Sequence, residues 1–198
     1  MTQSEALLEL LETEKVIRPR DLANHGISRI TLYALQRQGK IEQSGRGLYM
    51  RVDQAWSLHH SLAEASKRVP HGIVCLISAL SFHELGTQLP NAVWMAVDVH
   101  ARKPNVDYPP LQIVRFSGEA LGYGIEVKEI EGVAVPITSL AKTVADCFKY
   151  RNKIGLDVAL EALRECRRGR RCTMDELWSA AAVCRMQNVM KPYLEAIW

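Results

Sequence analysis

The stretch Arg18–Arg51, RPRDLANHGISRITLYALQRQGKIEQSGRGLYMR, constrains this chain more than any other. Pro19 suits the first turn of a helix, where its missing N–H has no intrahelical partner to lose. Gly26 ends that helix, because a C-terminal cap often needs positive φ. Ser28 is placed to cap a second helix by accepting from an exposed backbone N–H. Leu32 and Leu35 form the buried stripe of that helix, and Gly39 stops it. Lys40–Gln43 and Leu48–Arg51 then flank SGRG, a hairpin turn. Helix, turn, helix and basic hairpin in this order predict a winged helix-turn-helix, a DNA-reading module.

Charge placement supports that expectation. Net charge is only +3, but Lys15–Arg51 holds eight Lys/Arg against Asp21 and Glu42, a local +6. A second basic region, Lys142–Arg171, carries nine bases against four acids, a local +5. A polyanion responds to such local fields rather than to the total. On the predicted reading helix, Leu32 and Leu35 turn inward, so Ile30, Tyr33, Ala34 and Arg37 face outward with Arg29 at the amino end. The expected DNA contacts are Ser28, Arg29, Thr31, Tyr33, Arg37, Lys40 and, at the hairpin tip, Arg46. These types reach base edges or phosphates. The plainer alternative is a solvated basic face on a module that contacts only protein.

Around this module the chain reads as α+β. Ser4–Thr13 carries Ala6, Leu7, Leu10 and Leu11 at helical spacing, the first helix of the winged unit. Asp53–Val69 is again helical in character, with Trp56, Leu58, Leu62 and Ala65, and Pro70-His71-Gly72 breaks it. Ile73–Leu85 is apolar enough for a buried helix, with a strand as its rival because of the β-branched start. Val93–Val99, Leu111–Phe116, Gly124–Glu129 and Val133–Ile137 read as strands, the last two around a turn at Glu131-Gly132. Helices are expected over Ser139–Tyr150, Leu156–Arg168, Met174–Met186 and Val189–Ile197, with Thr173 as a cap. The domain reading is 1–52 winged helix-turn-helix, 53–70 helical connector, and 71–198 a mixed α/β domain ending in helices.

Five cysteines without a CxxC spacing, no signal peptide and no long apolar run predict a reduced, cytoplasmic protein with no structural zinc and no cofactor. Two patterns resemble enzyme motifs. Ser139-Leu-Ala-Lys142 has the S-x-x-K form of penicillin-binding enzymes but lacks the companion motifs, and Ser139 is better read as a helix start. Asp98 with Glu126-Val-Lys128 resembles the carboxylate–lysine set of metal-dependent nucleases. A winged-helix protein with a nuclease domain is therefore the alternative reading, with a ligand-sensing transcription factor as a third.

The order of blocks ISRITLYALQRQGKIEQSGRGLYM, GIVCLISALSFHELGTQLP, VWMAV and GIEVKEIEGVAVPITSLAKTVADCFKYRNKIGLDVALEAL resembles AbiE-type antitoxins, the AbiEi family, over nearly the whole chain. The resemblance implies a non-enzymatic antitoxin of a type IV toxin–antitoxin system, the kind linked to abortive infection and phage defence. Its partner would be a nucleotidyltransferase-like toxin, neutralised through the C-terminal domain. The winged helix would repress its own operon by binding double-stranded promoter repeats. From charge placement, Lys142, Lys149, Arg151, Lys153, Arg164, Arg167, Arg168, Arg170 and Arg171 are the candidates for the antitoxin surface.

Overall fold

The computed structural model describes residues 2–45, 47–53 and 57–197. Arg46 and Trp56, which carry expectations above, lie outside the described residues. The N-terminal unit begins with α1, Gln3–Thr13, whose start is fixed by a reciprocal cap: the Thr2 hydroxyl accepts from Glu5 N–H, and the Glu5 carboxylate accepts from Thr2 N–H. A short 3-10 helix, Asp21–His25, follows and ends at Gly26 with φ 67°. Pro19 lies before that helix, not inside its first turn. Next comes α2, Arg29–Arg37, capped by Ser28 accepting from Thr31 N–H as its position predicts.

The hairpin pairs β1, Ile41–Gly45, with β2, Leu48–Arg51. A bulge between Gln43 and Gly45 lets pairing continue to Gly45↔Leu48, so β1 outruns the expected Gln43. Ile17 adds a third rung by exchanging both backbone hydrogen bonds with Tyr49 at 3.0 Å. Leu7, Leu11, Leu22, Leu32, Leu35 and Ile41 close one small core under these elements.

The remaining chain builds a mixed five-stranded sheet between helices. Its elements are α3 His60–Arg68, β3 Ile73–Val74, α4 Leu76–Phe82, β4 Val93–Asp98, β5 Leu111–Phe116, α5 Glu119–Gly122, β6 Ile125–Ile130 and β7 Val133–Thr138. They are followed by α6 Leu140–Lys149, α7 Arg151–Ile154, α8 Leu156–Arg168, α9 Met174–Cys184 and α10 Gln187–Ile197. The strand order is β5-β4-β3-β7-β6, with β3 parallel to β7 and β4 parallel to β5.

Alternation along β4 divides the burial between two faces. Met95 and Val97 meet Val135 and Ile137 of β7 and Leu62, Ala63 and Ala65 of α3. On the opposite face Ala96 joins Leu76, Val144, Phe148, Ala159 and Leu163 from the helices. Residues 60–69, expected in a connector, thus belong to the core of the sheet, and the helix is shorter than Asp53–Val69. Leu58 lies outside it and is 91% exposed. The apolar run Ile73–Leu85 turns out to be both rivals in succession: two strand residues, then helix.

Cys166 and Cys172 form a disulfide, which corrects the all-reduced expectation. The chain leaves α8 and reverses through Arg170 at φ 50°, bringing the two Cα atoms to 5.9 Å. Cys75, Cys147 and Cys184 are free and buried.

The two units meet at a seam around the β6–β7 turn. Glu131 and Gly132, at φ 53° and 71°, form the two-residue turn that suits a right-twisted hairpin. A Cβ on Gly132 would stand 2.8 Å from Glu14 Cα and Thr13 O, so only glycine lets the turn sit against the end of α1. Lys15 N–H donates to the Glu131 carbonyl at 3.1 Å, and Lys67 Nζ reaches Glu14 at 2.9 Å. The Glu131 carboxylate accepts from Ser57 N–H at 3.0 Å and bonds His60 Nδ1 at 2.7 Å. Burial on its own would raise the Glu131 carboxyl, but the bonds from His60 and Ser57 outweigh it and hold its pKa below the ordinary 4.5.

A depressed carboxylate contributes stability that is present above its unfolded-state pKa and lost as pH falls through the folded one. The seam should therefore loosen on acidification below about pH 4.5, read as faster exchange of the Lys15 amide. In Glu131→Gln that pH dependence should flatten. An identical acid profile in the variant would show that Glu131 is not the group responsible.

Candidate nucleic-acid interface

The geometry of α2 decides which of its side chains can meet a duplex. Burial of Leu32 and Leu35 (0% and 1% exposed) fixes the helix rotation. Arg29, Tyr33 and Arg37 then fall at i, i+4 and i+8, one stripe on the exposed face. Ile30, 80% exposed, stands beside them, while Ala34 is half-buried. The Tyr33 ring meets Tyr49 edge-on, with centroids 6.3 Å apart, which ties the stripe to the hairpin. Burial, then the neighbouring Tyr33, raises the Tyr49 pKa, so the Tyr49 phenol keeps its proton and remains a hydrogen-bond donor at neutral pH.

Two expected contacts have other duties. The Ser28 and Thr31 hydroxyls bond each other at 2.9 Å, and Thr31 Oγ1 donates to Gln3 Oε1 at 2.9 Å. The same Gln3 oxygen accepts from Ser28 N–H at 3.3 Å. This network ties the start of α2 to α1, so Ser28 and Thr31 act there as cap and brace. Lys40 is exposed beyond the end of α2, near Arg51.

A group the sequence reading left unassigned lies beside the stripe. Arg18 and Arg20, from the segment before α2, and Arg68, from the end of α3, border one cleft with Arg29 and Tyr33. Arg18 and Arg20 were visible in the local charge. Arg68 was not, because a contact some forty residues distant leaves no local signature.

The second basic region is less uniform than its count suggests. Lys142 is 0% exposed, with Nζ bonded to both Asp146 oxygens at 2.7 and 2.6 Å, so it is removed from any surface. The same pair takes the lysine away from Ser139, which holds the N-cap position of α6 without a side-chain capping bond. Lys149 and Arg151 are half-buried, and Arg151 donates to the Phe148 carbonyl at 2.9 Å. Lys153 is exposed, with Nζ 5.7 Å from the Tyr150 ring centroid. Arg164, Arg167, Arg168, Arg170 and Arg171 are exposed, but Arg164 and Arg168 share a groove with Asp157, Glu161 and Glu165. Arg171 donates to the His83 carbonyl, which spends it on holding the 83–86 segment.

The nuclease alternative fails on topology. Asp98 ends β4 and Glu126 lies on β6, and β3 and β7 stand between them. Three strand steps separate the carboxylates by about 14 Å, too far to share a metal ion. Glu126 instead pairs with Lys128 at 2.7 Å. Among the described residues no group of three His, Cys, Asp or Glu is arranged to hold a metal, and no helix is long and apolar enough to cross a membrane.

Helix, turn, capped exposed helix and paired hairpin thus occupy residues 3–51. Residues 5–52 match the family model of transcriptional regulators that are AbiEi antitoxins. That match supports an antitoxin-type, DNA-binding regulatory role, in a family of regulators rather than enzymes. It ends one residue beyond β2, so it speaks for the N-terminal winged unit and not for the sheet behind it. No curated protein matches the chain in sequence. In fold, the whole chain is similar to the RV2827C protein from Mycobacterium tuberculosis, with a TM-score of 0.61 and 12% identity over 98% of this chain and 81% of that one. At that identity the likeness carries the architecture alone.

Proposed function

We propose that this chain is the cytoplasmic antitoxin of a type IV toxin–antitoxin pair and the repressor of its own operon. Residues 1–52 bind inverted repeats in the promoter. Residues 71–198 neutralise a nucleotidyltransferase-like toxin. The observation that carries the reading is the Arg29–Tyr33–Arg37 stripe, held outward on a capped helix in a module that matches AbiEi regulators. Arginine can grip phosphate or bond guanine edges bidentately, and the Tyr33 hydroxyl can bond a base edge or a phosphate. Lys40 supports these contacts from beyond the end of α2, and Arg46, outside the described residues, is assigned a phosphate or groove contact from its sequence position. For the toxin-facing half, the exposed arginines of 164–171 offer a cationic edge at the far end of α8.

The test uses the full chain. Arg29→Ala/Arg37→Ala should lower affinity for the upstream promoter duplex at least tenfold, from the loss of contacts worth about 1–3 kcal/mol each. The slope of log affinity against log salt should flatten by about one for each phosphate contact removed. The same variant should still relieve growth arrest caused by the toxin encoded beside it. Unchanged promoter binding removes the stripe as the DNA site. Loss of growth rescue together with promoter binding removes the division of labour.

A further inference from the structure

The cleft beside the reading stripe holds more cationic donor capacity than its neighbours use. It measures about 490 Å³ and lies where the AbiEi module faces α3 and the loop at 105–107. Arg20 pairs with Asp21 at 3.6 Å, and Arg68 Nη2 donates to Glu64 at 2.9 Å. Arg18 and Arg29 form no ion pair among the described residues, and Asp107 is the one carboxylate among the residues lining the cleft. The Arg68 side chain is 9% exposed, and its Nε–H is buried without an acceptor, as Oε2 of its partner Glu64 is without a donor. A buried donor left open in this way calls for a partner.

Electrostatics point in the same direction. Burial first, and then the neighbouring Arg20, lowers the pKa of Arg18; Asp21 opposes the shift, and Arg68 adds a smaller push in the same direction as Arg20. Like charges drawn together at a half-buried position, against a single lining carboxylate, are stabilised by a bound anion. The guanidinium fork matches the spacing of phosphate oxygens, and charge-assisted bonds of this type are among the strongest available to a side chain.

We propose that this cleft is a phosphate-binding site, with Arg18, Arg29 and Arg68 as its principal donors and Arg20 and Tyr33 at its rim. The phosphate is either a backbone phosphodiester of bound duplex or part of a free phosphorylated small molecule. Only the first source rests on the DNA reading above. In both cases the ligand bridges α2 to α3, so the sheet-bearing unit takes part in gripping it. The sequence region 1–52 by itself would lack Arg68.

The decisive measurement is titration of the full-length protein with inorganic phosphate and with pyrophosphate at constant ionic strength, followed by calorimetry and by thermal unfolding. Saturable binding with a rise in Tm is expected. Arg18→Gln and Arg29→Gln should each weaken it at least tenfold, whereas Lys191→Gln, an exposed residue on α10, should leave it unchanged. Arg68→Gln strips buried Glu64 of its partner and risks unfolding, so Arg68→Lys is the informative variant there: it keeps the charge, loses the fork and should weaken binding.

Promoter duplex then identifies the source. If the duplex supplies the phosphate, inorganic phosphate competes with it and Arg18→Gln flattens the salt slope by about one. If the ligand is a free molecule, a nucleoside 5′-diphosphate binds tighter than phosphate, and the salt slope of Arg18→Gln stays that of the parent. Absence of saturable phosphate binding together with an unchanged salt slope overturns the site. So does equal phosphate binding by the parent, Arg18→Gln and Arg29→Gln. Phosphate binding that persists in a protein with no affinity for promoter DNA sinks the regulatory reading and leaves this one standing.

Discussion

Lys142→Met should cost the fold about 3–5 kcal/mol, a large share of the marginal stability of a folded chain. The Lys142 ammonium and the Asp146 carboxylate are both 0% exposed and bonded through two short contacts one helical turn apart. The Cys184 thiol donates to the same carboxylate at 3.2 Å, and the Phe116 ring lies 4.3 Å below the ammonium. Removing the lysine leaves a charge in the main core with one weak donor. Burial already raises the Asp146 carboxyl pKa against the opposing pull of Lys142, and the variant should raise it further.

A raised folded-state pKa contributes stability at low pH that is lost as pH rises through it. The deficit of Lys142→Met should therefore shrink toward acid, where Asp146 takes a proton. Lys142→Met/Asp146→Leu, which removes both charges, should recover most of the loss. Urea unfolding at two pH values measures all three outcomes. A single variant within about 1 kcal/mol of the parent would mean that the pair is neither dry nor strongly coupled.

Leu32→Ala should separate the two halves of the protein. Leu32 is fully buried in a core of few residues, and deleting its methyl groups should cost about 2–5 kcal/mol. The sheet-bearing unit keeps both of its own cores, neither of which includes Leu32. Hydrogen exchange should therefore quicken across residues 5–52 while the β4 and β5 amides stay protected. Promoter binding should disappear with the loss of α2, since the same burial that docks Leu32 aims Arg29, Tyr33 and Arg37 outward. Uniformly faster exchange through β4 and β5 would mean that the seam makes one cooperative unit of the whole chain.

The parts of this molecule readable from sequence are those governed by near neighbours. Ser28, Thr173 and Gly26 each cap what their side chain or its absence permits, and the limits Leu156–Arg168 for α8 follow from its helical spacing. The outward stripe on α2 was legible for the same reason: two inward leucines fix a helix rotation. Elsewhere, local signals were ambiguous or silent. Ile73–Leu85 was apolar enough for strand or helix, and contacts with β4 and β7 made its first two residues strand.

By itself, then, the sequence determined the order of the longer elements, the winged architecture, the +6 field around α2 and the resemblance to AbiE-type antitoxins, all properties of composition, period and block order. Tertiary structure alone decided that α3 packs on the sheet, that Lys142 is buried rather than offered to a partner, that two strands stand between Asp98 and Glu126, and that Arg68 closes a cationic cleft with Arg18 and Arg29. Each of these depends on which distant residues become neighbours. Burial and the convergence of like charges are set by that juxtaposition, and no window along the chain contains it.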